Sequence, residues 1–344
     1  MTATTNTAPV DTRARTKSPL QRLMSSRATW IFLLDIVLVI LFTSLSRNGV
    51  FLSVLNLKSL LLSGTEMLLL SLGLAMLLGA GKFDLSLGAN LVLSSVIGAL
   101  IMVGLKSSGA GVGVTIFAGL IGCLATGAIM GAINGVLVAR FQINSLIATL
   151  GMLGVGSGVA LVVSNNGQNV IGFPIELQSH FGLKTFGFMP APALVALVIA
   201  GILALVIHET AYGRHTLAIG SSKLAAERVG LRVERHLFSL FVLTGVLAGL
   251  AGFIDIARYQ TTVITGHAND ALQAVAAVVI GGTLMEGGRI SIIGTIWGVA
   301  LAVILQNGLV IIGVSSAYQL MAVGAILVIA VGLDRVSFNR REAS

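Results

Sequence analysis

The sequence predicts an all-α integral membrane protein with about ten transmembrane helices. Three observations carry this. The 344 residues are 56% hydrophobic and only 10% charged, whereas soluble domains carry about 25% charged residues. Mean hydropathy is +0.99. The apolar runs are continuous over roughly 20 residues, the length a helix needs to cross hydrocarbon. Barrel strands would show short alternating segments instead, and no strands are expected.

Met1 to Arg27 is polar, Ser/Thr-rich and basic, with Arg13, Arg15, Lys17, Arg22 and Arg27. The first apolar run starts near Ala28, late and long for a cleaved signal peptide. Residues 1–27 are therefore expected to form a disordered cytoplasmic tail before a retained span. Ten spans follow, at approximately 28–46, 59–80, 85–103, 112–138, 145–163, 192–208, 237–257, 272–286, 291–312 and 318–333. The eighth is short and broken by glycine, which suggests a partial or bent span. The polytopic domain covers 28–335, with a polar segment at 209–236 and a second cytoplasmic tail at 336–344.

Lys and Arg set the orientation. Arg47, Lys58, Lys106, Lys184 and Arg258 fall on one side, and the other 16 of the 21 basic residues fall on the opposite side. Basic residues accumulate in cytoplasmic connections. Both termini and the segment 209–236 are therefore expected inside, and the polar connection 164–191 outside. The net charge of +8 is spread over short connections and tails, so nucleic acid is not an expected partner.

A weak sequence echo suggests internal duplication. Ile133-Asn134-Gly135-Val136-Leu137-Val138 ends the fourth span, and Gln306-Asn307-Gly308-Leu309-Val310-Ile311 sits late in the ninth. Spans two to five begin outside and spans seven to ten begin inside, so repeats of these groups would be inverted. Chance similarity in a low-diversity alphabet is the alternative. Glycine pairs such as Gly119/Gly122, Gly127/Gly131, Gly151/Gly154 and Gly245/Gly249 place small residues on one helix face. In lipid, close backbone contact of this kind drives helix association.

Enzyme signatures are absent. Gly81-Lys82 lacks the remainder of a phosphate-binding loop. His180, His208, His215, His236 and His267 are scattered, and lone Cys123 sits in an apolar run, so neither a metal site nor an intrachain disulfide is expected. Ionisable residues inside apolar runs are few: Asp35, Glu66 and Asp255. Such residues mark pathways or structural pairs. Asp255 lies three positions before Arg258, spacing that suits an ion pair. Glu66, near Ser63 and Thr65, is a candidate for lining a cavity. The amides Asn90, Asn134, Gln306 and Asn307 could hydrogen-bond a neutral polyhydroxyl solute, or equally bond helix to helix.

The ordered motifs are more specific. They begin with Gly81-Lys-Phe-Asp-Leu-Ser-Leu-Gly88, Asn134-Gly135 and Asn144-Ser145-Leu-Ile-Ala-Thr149-Leu-Gly151. They continue with Ala218-Ile-Gly220 through Leu231, Ala276-Ala277-Val-Val-Ile-Gly281-Gly282-Thr283, Gly287-Gly288-Arg289 and Gly294-Thr295. Gln306-Asn-Gly308 and Gly313-Val-Ser-Ser316 complete the set. From about residue 55 to 335 the chain resembles the ribose-type permease family of bacterial ABC importers for monosaccharides. That family also holds permeases for nucleosides and branched-chain amino acids.

The resemblance implies a non-catalytic permease in the bacterial cytoplasmic membrane, paired with a second permease subunit, usually as a homodimer. A soluble binding protein would deliver the solute outside, and an ATPase using ATP-Mg would dock inside. Its coupling segment maps onto Ser221 to Leu231, with Ser221, Lys223, Ala225, Ala226, Glu227, Arg228 and Gly230 as contact residues. Leu224 stands where an acidic residue is frequent, and Lys82 where a second glycine is common. An amphipathic helix over 221–230 would gather Leu224, Val229 and Leu231, leaving Lys223, Glu227 and Arg228 to face a partner. A nucleoside permease of the same architecture is the alternative; a self-sufficient secondary carrier is another.

Overall fold

The computed structural model describes residues 27–315, 317–319, 321 and 324–325. The expected tails lie outside the described residues except for Arg27, and so does most of the expected tenth span at 318–333. In chain order the helices are α1 (Arg27–Leu45), α2 (Val54–Gly79), α3 (Leu87–Ser107), α4 (Val112–Gly135), α5 (Ser145–Val163), α6 (Ala191–Glu209), α7 (Ala211–Ser221), α8 (Lys223–Arg228), α9 (Val233–Tyr259), α10 (Asp270–Ile280) and α11 (Ile292–Ile311). Among the described residues eight of these are long and apolar enough to cross a membrane. The chain is an all-α, multi-pass membrane protein.

The eighth span, expected at 272–286 as partial or bent, is a short helix whose bounds are corrected to Asp270–Ile280. Helix α10 has 11 residues, roughly 16 Å at ~1.5 Å per residue, about half of the hydrocarbon. It stops at Gly281-Gly282, where Gly282 takes a φ of +91°. The expected absence of strands is corrected too. Thr185–Phe186 pairs antiparallel with Met189–Pro190, and Gly187 at φ +62° closes the turn.

Two segments run extended where unbroken helices would be simplest. After α2 the chain passes through 80–86 without helix, and the Phe83 and Leu85 amides donate to Ser145 Oγ at 3.2 Å and Thr149 Oγ1 at 3.1 Å. These side chains satisfy backbone donors that apolar surroundings would leave bare. After α9 the chain is again non-helical to Asn269. Thr262 N bonds Val170 O at 3.2 Å, and Thr262 Oγ1 accepts from Val170 N at 2.9 Å. The two segments meet: any Cβ on Gly88, at the start of α3, would strike His267 O just before α10. Two helices thus begin against each other inside the bundle, an arrangement common to transporters with broken helices.

The order of elements follows the sequence echo. Helices α2 and α9 have 26 and 27 residues, and each is followed by an extended stretch and then a helix. Asn134-Gly135 ends α4, and Asn307-Gly308 lies near the end of α11.

Helix α9 is central and packs on α4, α2 and α3. The α4–α9 crossing shows why the glycines recur. A Cβ on Gly127 would lie 2.9 Å from Gly249 Cα, and one on Gly245 would lie 2.9 Å from Gly131 Cα. The two backbones touch over successive turns, the contact that drives association in lipid. Gly119 and Gly122 instead make room for the side chains of Met102 and Ile101 of α3. Gly151 and Gly154 differ, because a Cβ on either would meet nothing within 4 Å. Cys123 is buried and free.

Candidate functional site

The polar segment after α6 folds as two helices, not one. Ser222 is extended, at φ −162° and ψ 105°, and separates α7 from α8. Its side chain accepts from Ala225 N at 3.3 Å and so caps α8. The expected single helix over 221–230 is corrected, because a cap residue with extended backbone cannot continue the helix before it.

The faces are also reversed. Ala226 is the buried residue of α8, 3% exposed, while Leu224 and Val229 are 68% and 76% exposed. In a six-residue helix one inward position suffices, and the small Ala226 fits it. Lys223 does not face outward freely. It donates to Gln142 Oε1 at 2.6 Å and lies 3.8 Å from Glu227 Oε1. Ala225, Glu227, Arg228 and Gly230 are exposed, and Ser221 Oγ turns back to Leu217 O at 2.9 Å. The outward surface is therefore Leu224 and Val229 with Arg228 beside them.

This surface is joined rigidly to the bundle. Gly288 N donates to Gly79 O at 2.9 Å, linking the end of α2 to the turn after α10. Gly220, at the end of α7, sits against both: a Cβ there would lie 2.5 Å from Gly288 N and closer still to Gly79 O. Three backbones meet where only glycine fits. Beside them Lys82 is half-buried; burial and the nearby Lys223 charge push its ammonium below the ordinary lysine value.

A second polar cluster lies at the opposite end of α9. The expected Asp255–Arg258 pair is corrected: Arg258 reaches Glu66 of α2, with Nη1 3.6 Å from Oε1, and donates to Ser63 Oγ at 2.9 Å. Asp255 instead faces His267, 3.3 Å from Nε2. His267 Nδ1 lies 2.7 Å from Asp270 Oδ2. The reason is geometric, because Asp255 is wholly buried and the segment before α10 folds over it. Asp35 is buried on α1, and no partner for its carboxylate is seen among the described residues.

The candidate solute-contact amides are placed as follows. Asn90 donates to Gly127 O at 3.3 Å and accepts from Ser94 Oγ at 3.2 Å. Asn134 donates to Ser86 Oγ at 2.8 Å and to both Asp84 oxygens, at 3.4 and 3.3 Å. Asn307 exchanges two 3.0 Å bonds with Asn56. Gln306 is exposed. Glu66 pairs with Arg258 as above. The structure brings these five to no common cavity.

Sequence reasoning missed Asp84. It is fully buried, accepts from Ser86 N at 2.9 Å and from Ser86 Oγ at 2.6 Å, and holds Asn134. The Asp-x-Ser spacing just before α3 was the available signal, since Asp and Ser bond nearby backbone at helix starts. His267 also went unassigned, since nothing local in sequence links it to Asp255.

Residues 56–331 match the family described as "Branched-chain amino acid transport system / permease component". The D-allose transport system permease protein of Escherichia coli K12 is 31% identical over 330 residues, 96% of this chain and 98% of its own length. The ribose import permease protein of Escherichia coli K12 is 34% identical over 226 residues, 65% of this chain and 70% of its own. The ribose import permease protein of Bacillus subtilis is 38% identical over 207 residues, 59% of this chain; the match spans 63% of that relative's length.

Proposed function

This chain belongs to the family of permease components typified by branched-chain amino acid transport systems, and on that premise we propose that it is the membrane-spanning subunit of an ATP-driven importer for a monosaccharide. The similarity to allose and ribose permeases supports a sugar as solute. Two copies pair, a binding protein delivers the sugar on the face carrying Arg258, and an ATPase docks on the face carrying α8. Both termini face the cytoplasm. ATP and magnesium reside on the ATPase.

The observation that carries this reading is the exposure of Leu224 and Val229 on a polar segment outside the spans. A solvated loop helix turns its apolar side chains inward, and an exposed apolar surface rimmed by charge marks a contact site. Ser221, Lys223, Ala225, Glu227, Arg228 and Gly230 surround that surface, and buried Ala226 supports it from beneath. A push on α8 passes through Ser222 to Gly220, and from there to the ends of α2 and the turn after α10. The first leads to the start of α3 and the second to the end of α10, so a shift of α8 moves both helix boundaries. This is a route for alternating access. Of the candidate pathway residues, Asn134 lies nearest a break, bonded to Asp84 and Ser86 ahead of α3, and Glu66 sits in the charged cluster. Asn90, Asn134 and Asn307 would have to exchange their present bonds to meet a sugar.

The test is co-purification of the permease with its ATPase, combined with uptake of radiolabelled ribose and allose in the presence of the binding protein. Leu224→Asp with Val229→Asp should abolish ATPase retention and uptake while the chain still inserts in the membrane. Full retention by that variant would refute the docking role.

A further inference from the structure

Beside α8, between α7 and the first turns of α9, lies a cleft of about 400 Å³. Arg232, Arg235, His215, His236 and Ser239 line it, and no carboxylate does. Four of these fall at i, i+3, i+4 and i+7 along the start of α9 (Arg232, Arg235, His236, Ser239) and so share one helix face. Glu234, between the two arginines in sequence, falls on a different face and does not line the cleft. Among the described residues neither arginine has an ion-pair partner.

The cleft is prebuilt. Tyr212 of α7 packs its ring at a tilt against His236, with centroids 4.4 Å apart. Ser239 Oγ donates to His236 O at 2.7 Å, so the 2.8 Å bond to Tyr212 is donated by the phenol. Thr216 Oγ1 donates to Tyr212 O at 2.9 Å and lies 2.8 Å from His236 Nε2. These contacts fix α7 against α9 and leave the arginines to shape an opening rather than fill it.

The same stripe changes character along α9. Beyond Ser239 it continues through Leu243, Val246 and Leu250, each partly exposed, with Leu243 and Leu250 also packed against the core. Basic groups at a span's end followed by a partly exposed apolar stripe match a molecule with an anionic head and a hydrocarbon tail. A free anion uses only the head end of such a site. Basic pockets between helices at a membrane boundary hold lipid headgroups.

We propose that the cleft between α7 and α9 seats the phosphate of an anionic membrane lipid, with Arg232 and Arg235 as its ligands and an acyl chain along Val246 and Leu250. The seat lies next to Gly230 and Leu231, so an occupied cleft braces the segment that follows α8. The inference does not rest on the identity of the solute or on ATPase docking.

The experiment is native mass spectrometry of the detergent-purified full chain titrated with phosphatidylglycerol, phosphatidylethanolamine or inorganic phosphate. Wild type should retain phosphatidylglycerol in preference to phosphatidylethanolamine. Arg232→Gln with Arg235→Gln should weaken that retention by roughly 30-fold, the effect of two basic side chains at an anionic surface. A charge-matched control, Arg140→Gln with Arg214→Gln, should bind as wild type does. Three results would overturn the proposal: equal loss in the control, unchanged binding in the Arg232/Arg235 variant, or displacement of the lipid by millimolar inorganic phosphate. Loss of ATPase co-purification with lipid retention unchanged would likewise overturn it, by assigning the arginines to a protein partner.

Discussion

Lys223 of α8 donates a 2.6 Å hydrogen bond to Gln142, which lies between the end of α4 and the start of α5. Gln142 takes a left-handed backbone, with φ +55°, and its amide is anchored in turn to Ala139 O at 2.6 Å. The docking helix is therefore braced sideways against a second helix pair, in addition to its backbone link to α7. Gln142→Leu should leave ATPase docking in place and slow ATP-driven uptake. The bond is charge-assisted but partly exposed, so the expected cost is about 1 kcal/mol or less. Measuring ATPase retention and uptake on the same preparation separates the two effects.

Ala226 and Gly220 should respond to added bulk through packing. Ala226→Leu overfills a buried position and should destabilise the chain by roughly 1–3 kcal/mol, read as a lower melting temperature in detergent. Gly220→Ala forces its Cβ into Gly79 O and Gly288 N, both backbone atoms, and should cost at least as much. Gly230→Ala strains a φ of +84° but meets no neighbour within 4 Å. It should therefore be the mildest of the three.

The buried pair at the other end of α9 should be far more sensitive to loss of one member than of both. Arg258→Leu leaves Glu66 without its cation, and breaking a buried pair in this way costs about 3–5 kcal/mol. Glu66→Gln combined with Arg258→Gln removes both charges and should recover much of that stability. Equal melting temperatures for the single and double variants would count against the pairing.

Lys82 gives a pH test whose sign is fixed by its surroundings. Its value in the folded chain lies below the ordinary lysine value of 10.5, so folding disfavours the ammonium. The penalty is full at pH below the folded value and vanishes as pH rises towards 10.5. Stability should therefore rise relative to a Lys82→Gly variant as pH increases through the alkaline range. A constant difference between the two chains across that range would remove Lys82 from the account.

Much of the architecture was legible because spans are written in hydropathy. Runs of apolar residues flanked by charge marked α1 to α6, α9 and α11. The half-length α10 was legible in part: its glycines marked a short or bent span, and only the backbone shows that the helix stops at Ile280 and turns at Gly281-Gly282. In the candidate site, the docking segment stood out by its polarity, yet which residue points inward depends on the cap at Ser222. Hydropathy alone points Leu224 and Val229 inward, yet the small Ala226 takes that place. The amides show the same limit. Asn134 looks alike whether it meets a sugar or Asp84, and only tertiary structure brings Asp84 within reach across fifty residues of chain.

The account depends most on the division between a passage formed by this chain and a separate source of energy. Proteoliposomes holding the purified permease with its binding protein, with or without the ATPase, test it directly through uptake of radiolabelled ribose and allose. Accumulation of at least one sugar against a gradient should require both the ATPase and ATP. Concentration of sugar by the permease alone would contradict the account.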